Sequence, residues 1–146
     1  MSKYISQRRS DKIYREECRA FKKALKQCVK QSNLFDAGGL HDTVNVWVSH
    51  MLTYYKAGAH VYSTEFTRNA IIYELEEVNG LFKELDHLYD EFRAKPKPKC
   101  VTKSGIKAVG LNKELIELLA KLDNREHELY KDIYAKIGQC IQEWWD

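Results

Sequence analysis

The sequence predicts an all-α protein, either an up-and-down four-helix bundle or a long helical hairpin with two helices packed on it. Apolar residues recur at three- and four-residue intervals in four segments, the spacing of one helix face. Two prolines and seven glycines interrupt the 146 residues, and 44% of them are hydrophobic. This composition and length predict a single folded domain over 1–146.

The first helix is predicted over residues 10–31, with Ser10 as its N-cap. Its apolar stripe contains Tyr14, Cys18, Phe21, Leu25 and Cys28. A second, cationic stripe contains Lys12, Arg15, Arg19, Lys22, Lys26 and Lys30. At about 100° per residue the two stripes are centred about 120° apart, so the cationic one is free to face solvent while the other packs.

The second helix is predicted over residues 41–56, after a break at the glycine pair of NLFDAGGL. Its apolar face contains Leu40, Val44, Trp47, Met51 and Tyr54. Residues 43–48 also alternate as a strand would, and their valines favour β structure. Because the helical spacing continues to Tyr54, the helix is favoured, and Gly58 is expected to end it.

The third helix is predicted over residues 64–93, with Ser63 or Thr64 as its N-cap. Its apolar seam keeps a 4-3 alternation through Ile71, Leu75, Val78, Phe82, Leu85, Tyr89 and Phe92. Such a seam is typical of helices packed nearly parallel or antiparallel. Residues 94–110 contain five lysines, two prolines and two glycines, and predict a loop.

The last helix is predicted over residues 112–144, with Asn112 as its cap. Its apolar stripe runs from Leu115 to Trp144, and Glu126 takes a position where an apolar residue is expected. Of the two adjacent tryptophans only one can face the core, because neighbouring helix positions diverge by about 100°. We expect Trp144 to pack and Trp145 to be an exposed candidate interface residue; an oligomer would form through it or through the helix seam.

The net charge is only +3, but it is unevenly distributed. Residues 1–31 contain ten Lys and Arg against three acids, whereas residues 65–93 contain eight acids against three bases. The lead hypothesis is a non-catalytic binding protein that contacts nucleic acid or a nucleoprotein through the first helix and through the predicted loop at residues 94–110, which we call the lysine loop. The candidate contact residues are Arg8, Arg9, Lys12, Arg15, Arg19, Lys22, Lys23, Lys26, Lys95, Lys97, Lys99 and Lys103. Tyr4 and Tyr14 are placed to stack on bases.

The alternative hypothesis is an inhibitor or accessory factor, for example of viral or mobile-element origin, that binds a host protein. Its contact would be the acidic third helix, mimicking phosphates, or the cationic stripe docked on an acidic protein surface.

Motifs for catalysis are incomplete, so we expect no enzyme, no metal and no cofactor. A His41–Asp42 pair lacks the upstream His of metal phosphohydrolases, and Glu84–x–x–His87 occurs once where di-iron bundles need two copies. A metal-dependent bundle enzyme is the third hypothesis. The four cysteines form no C-x-x-C pair, and the sequence has no apolar run long enough for a membrane span. A cytoplasmic location without membrane contact is therefore expected.

Overall fold

A computed structural model describes residues 6–31, 37–58, 64–95 and 113–144. Within them lie four helices, α1 (Gln7–Gln31), α2 (Ala37–Lys56), α3 (Glu65–Ala94) and α4 (Lys113–Cys140), and no strand. The predicted all-α fold is therefore confirmed. Residues 43–48 are helical, so the helical periodicity decides over the β preference of the valines.

The N-terminal boundaries of α1 and α2 differ from the prediction. The Ser6 carbonyl accepts from the amides of Arg9 (2.9 Å) and Ser10 (3.0 Å), so α1 begins one turn early. Ser10 is consequently a buried residue inside the helix, and its assignment as the N-cap was wrong. The glycine pair lies inside α2, where the Thr43 hydroxyl donates to the Gly39 carbonyl at 2.8 Å.

The other helix ends that the structure describes follow the sequence signals more closely. Gly58 has φ = 72°, a left-handed conformation that favours glycine, and it lies just beyond the last residue of α2. Thr64 caps α3, since its hydroxyl accepts from the Thr67 amide at 3.1 Å. The helical part of α4 ends at Cys140, and turns over 141–144 replace the predicted last turn. Asn112 and residues 96–110 of the lysine loop lie outside the described residues.

The chain divides into two compact units: 1–80 with 136–146, and 81–135. In the first unit, Val48, Leu75, Val78 and Trp144 are almost completely buried. In the second, Phe82, Leu85, Leu129 and Ile133 form the core. All of these α3 and α4 positions belong to the predicted stripes, whereas the single domain over 1–146 stays a prediction.

Polar contacts join consecutive helices within each unit. In the first unit, Lys56 of α2 lies 2.6 Å from Glu76 of α3, and Lys136 of α4 lies 2.5 Å from Glu77 of α3. In the second unit, Glu126 accepts a hydrogen bond from the Tyr89 hydroxyl. This bond explains how a carboxylate is accommodated in the apolar stripe of α4, because a polar group at a packed position needs a partner.

No helix among the described residues is both long and apolar enough to cross a bilayer.

Leu75→Ala is expected to lower the free energy of unfolding by about 3 kcal/mol, because Leu75 has 0% exposure and its truncation leaves a cavity. Urea denaturation followed by circular dichroism measures the loss. Leu40→Ala is the matched control: Leu40 is 56% exposed, and its change should stay within about 0.5 kcal/mol. Equal losses in the two variants would contradict the packing described for α3.

Lys136→Met is expected to raise the pKa of Glu77. In the wild type, hydrogen bonding to the Lys136 ammonium holds the pKa of Glu77 below its ordinary value of 4.5, although partial burial opposes the shift. The contribution to stability is therefore complete above pH 4.5 and is lost as the pH falls through the lowered folded-state pKa. Carboxyl-carbon NMR titration measures the shift. Lys131→Met, at an exposed lysine of the same helix, should leave it unchanged.

Candidate functional site

The cationic stripe of α1 lies on the solvent-exposed side of the helix. We call Lys12, Arg15, Arg19, Lys22, Lys26 and Lys30 the α1 cationic face. All six side chains are exposed, whereas the apolar positions of α1 are mostly half-buried and Cys28 is buried. Tyr14 is the exception on the apolar stripe: it is 57% exposed and packs its ring edge against Tyr54.

The α1 cationic face has little internal neutralisation. Lys12 approaches Glu16 at 3.8 Å, an exposed pair one turn apart that contributes only a few tenths of a kcal/mol. The Arg15 guanidinium donates to the Asp11 carbonyl at 3.1 Å. Arg19, Lys22, Lys26 and Lys30 form no ion pair with any carboxylate that the structure describes.

Many cations of the other helices, in contrast, have carboxylate partners. Lys56 and Lys136 pair with α3 carboxylates in the first unit. In the second unit Arg125 contacts Glu84 and lies 3.1 Å from Glu128. These ion pairs occupy several of the carboxylates of α3. Among the described helices, α1 is the one on which cations without a carboxylate partner are concentrated.

The other predicted contact residues form two groups: those that the structure describes and those that lie outside the described residues. Arg8, Arg9 and Lys23 are exposed on α1, and Lys95 is exposed just after α3. Tyr4, Lys97, Lys99, Lys103 and Trp145 lie outside the described residues, so their predicted roles stay predictions. The α3 seam is buried within this chain from Ile71 to Leu85 and half-buried at Tyr89 and Phe92. An oligomer also stays a prediction.

The Glu84–His87 pair is arranged as part of an exposed surface. Glu84 contacts Arg125, and His87 Nε2 lies 3.3 Å from Glu91 of the next turn. Leu85, between them, is buried, as expected if the two polar side chains flank the core. Over the described ranges there is no group of three or more His, Cys, Asp or Glu side chains suited to hold a metal ion.

A cavity of about 380 Å³ lies between α1 and α2 in the first unit. Six aromatic residues contribute to its lining: Tyr14, Phe21, Trp47, Tyr54, Tyr55 and Trp144. Glu17 also lines it, with its carboxylate 3.4 Å from His50 Nδ1. Burial raises the pKa of Tyr54 and of Tyr55, so both hydroxyls stay neutral at ordinary pH. We call this space the aromatic cavity.

The aromatic cavity was not predicted, because the sequence pattern of α2 was assigned a single apolar face. The structure shows two: Trp47, Met51 and Tyr54 lie on one face, and Val48 and Tyr55 lie on a second, more deeply buried face, from which Tyr55 also reaches the cavity lining. A signal was present in the composition of α2, whose 20 residues contain only Asp42 and Lys56 as charged side chains. A helix with so few charges is usually covered on more than one side.

Trp144 forms one wall of the aromatic cavity and is held at both ends. Its indole N–H donates to Glu74 Oε2 at 2.9 Å, and its carbonyl accepts from the Tyr55 hydroxyl at 2.7 Å. Its ring lies 5.7 Å from that of Trp47, centroid to centroid. With only 1% of its surface exposed, Trp144 packs, as predicted.

Tyr55→Phe is expected to lower the free energy of unfolding by about 1–3 kcal/mol, because it leaves the Trp144 carbonyl without this donor in a buried setting. Urea denaturation measures the loss, and near-UV circular dichroism reports on the tryptophans. Tyr14→Phe is the control, since it removes a hydroxyl from an exposed ring. If Tyr55→Phe costs no more than this control, the hydrogen bond does not anchor Trp144.

Comparisons with protein-family models, with curated proteins and with solved structures find no match to this chain. A functional assignment therefore depends on the α1 cationic face and the aromatic cavity themselves.

Proposed function

We propose that this protein is a non-catalytic binding protein whose α1 cationic face contacts the phosphate backbone of nucleic acid, free or within a nucleoprotein. The observation that supports the proposal is the unpaired, exposed positive charge on α1. Residues 18–31 include five cations and no acid, because Asp11, Glu16 and Glu17 all lie in the first half of the helix. Paired charges leave no comparable stripe on the described parts of α3 and α4.

The spacing of the α1 cationic face suits a phosphate chain. Lys12 and Lys30 are 18 residues apart, which corresponds to about 27 Å along the helix axis. Phosphates of one B-DNA strand rise about 3.4 Å each, so a segment of about eight nucleotides spans the face. The strand winds around the duplex axis whereas α1 is straight, so only some of these phosphates face the helix, and six is the upper limit on the number that the face neutralises.

Binding of this kind is expected to be salt-dependent and indifferent to sequence. Each phosphate that is neutralised releases condensed counterions, so the affinity falls as salt rises, by about 0.7–0.9 in the log–log slope per phosphate. Long, flexible lysines act as point charges and do not read base edges in a fixed geometry. The part of the cationic face in the second half of α1 contains one arginine, Arg19, and is otherwise lysine.

The alternative partner is an acidic protein surface, which the same cationic face would attract. The version in which α3 mimics phosphates has less support, because Glu76, Glu77 and Glu84 already contact cations of this chain. A direct competition between nucleic acid and poly-glutamate distinguishes the two partners of the cationic face.

The triple substitution Arg19→Gln, Lys22→Gln and Lys26→Gln is expected to weaken binding of labelled DNA and RNA by at least about tenfold at low salt. The salt slope should fall by about 0.7–0.9 for each phosphate that the variant no longer neutralises. Fluorescence anisotropy over a salt series measures both quantities. Glutamine preserves helix propensity, so circular dichroism should show unchanged helicity.

The matched control removes the same charge elsewhere: Lys83→Gln, Lys121→Gln and Lys131→Gln. These lysines are exposed, are not arranged as a stripe, and form no ion pair with a described carboxylate. The control should keep most of the affinity. Equal weakening by both triple variants would reduce the effect to net charge and contradict the proposal. Poly-glutamate that displaces nucleic acid at equal charge concentration would assign the face to an acidic protein instead.

A further inference from the structure

The aromatic cavity is separate from the α1 cationic face, although both involve α1. Its α1 residues are Tyr14, Glu17, Cys18 and Phe21, which lie on the apolar side of the helix. The cationic face is centred about 120° away around the helix axis. The ligand that suits the cavity therefore depends on the lining of the cavity and not on the cationic face.

The lining combines aromatic rings with a single carboxylate. The ring of Tyr14 meets that of Tyr54 edge-on at 71°, and the rings of Trp47 and Trp144 are tilted by 45°. The wall therefore presents both faces and edges of rings. Among the lining side chains, the Glu17 carboxylate is the group with a full charge; His50 becomes a cation only when it is protonated.

This chemistry discriminates between ligand charges. The faces of tryptophan and tyrosine rings carry negative electrostatic potential and attract cations, most strongly where water is excluded. A partly buried carboxylate adds attraction for a cation and repels an anion. Glu17 has only about a quarter of its side chain exposed, and its described partner is the His50 imidazole at 3.4 Å. A ligand with a permanent positive charge is a stronger counterion for this carboxylate than the imidazole is.

The volume of the cavity suits a small molecule, and hydrogen bonds hold one of its walls in place. About 380 Å³ lies within the usual range of small-molecule pockets, which are mostly apolar with a few polar groups. Trp144 is fixed by Tyr55 and Glu74, so this wall does not have to be ordered when a ligand enters.

We infer that the aromatic cavity is a binding site for an organic monocation, a quaternary or protonated amine with a small apolar body. The ammonium group lies against the rings of Trp47 and Tyr54 and pairs with Glu17, while the apolar body fills the remaining volume. This site is independent of nucleic-acid binding by α1.

Isothermal titration calorimetry with choline and with its neutral isostere, 3,3-dimethyl-1-butanol, tests the inference. The two probes have nearly the same shape and differ in the quaternary nitrogen. Choline is expected to bind at least about tenfold more tightly, because only the cation gains from the ring faces and the carboxylate. Equal affinity for the two probes, or binding of neither, would overturn the inference.

Glu17→Gln is expected to remove most of the preference for choline over the isostere while it preserves the shape of the lining. Glu16→Gln is the matched control, because it deletes the same charge from the neighbouring, exposed position of α1. The Glu16→Gln variant should still bind choline more tightly than the isostere. Loss of the preference in both variants, or in neither, would refute the role of Glu17. A thermal melt of each variant confirms folding, and Trp47→Leu supplies a second test, since it should weaken choline more than the isostere.

Discussion

The two apolar faces of α2 are the constraint on which the first unit depends. Val48 and Tyr55 lie on one face and are fully buried, while Trp47 and Tyr54 lie on the neighbouring face and meet α1 and Trp144. A helix with two apolar faces is stable in water only if both are covered. Because α1 has one apolar stripe, it covers one of them and keeps its charged side in solvent. The apolar stripe of α1 thus covers an apolar face of α2, and the solvent-exposed side of α1 carries the cationic face.

The cations of α1 differ from many of those on α3 and α4 because they have no carboxylate partner on a neighbouring helix among the described residues. Where helices pack side by side, flanking carboxylates meet cations of the neighbour, as Glu84 meets Arg125 and Glu77 meets Lys136. Such pairs add little stability each, but they satisfy polar groups beside the core. The cationic face of α1 points away from its only packed side, so none of its cations has a neighbouring helix to pair with among the described residues.

The sequence predicts those parts of the fold that follow from periodicity within one helix. The seam of α3 is correct because the 4-3 alternation leaves only one consistent face from Ile71 to Leu85. The burial of Trp144 is predicted in the same way, because this residue continues the apolar stripe of the last helix. The start of α1 is not fixed by periodicity, because Ser6 and Ser10 are both residues of the N-cap type and the apolar stripe begins only after Ser10. The structure selects Ser6, whose carbonyl supplies the first acceptor. The aromatic cavity requires three segments distant in sequence to leave space between them, and periodicity contains no information on volume.

The contact between Tyr55 and Trp144 joins residues that are 89 positions apart, and this separation has a consequence for biosynthesis. A ribosome releases α1 and α2 well before it has made the turn that contains Trp144, so the hairpin of α1 and α2 waits with its aromatic rings uncovered. Contacts of long sequence separation form late and leave apolar surface open to self-association in the interval. The aromatic residues of α1 and α2 can therefore reach their final packing only after the turn that contains Trp144 has been made.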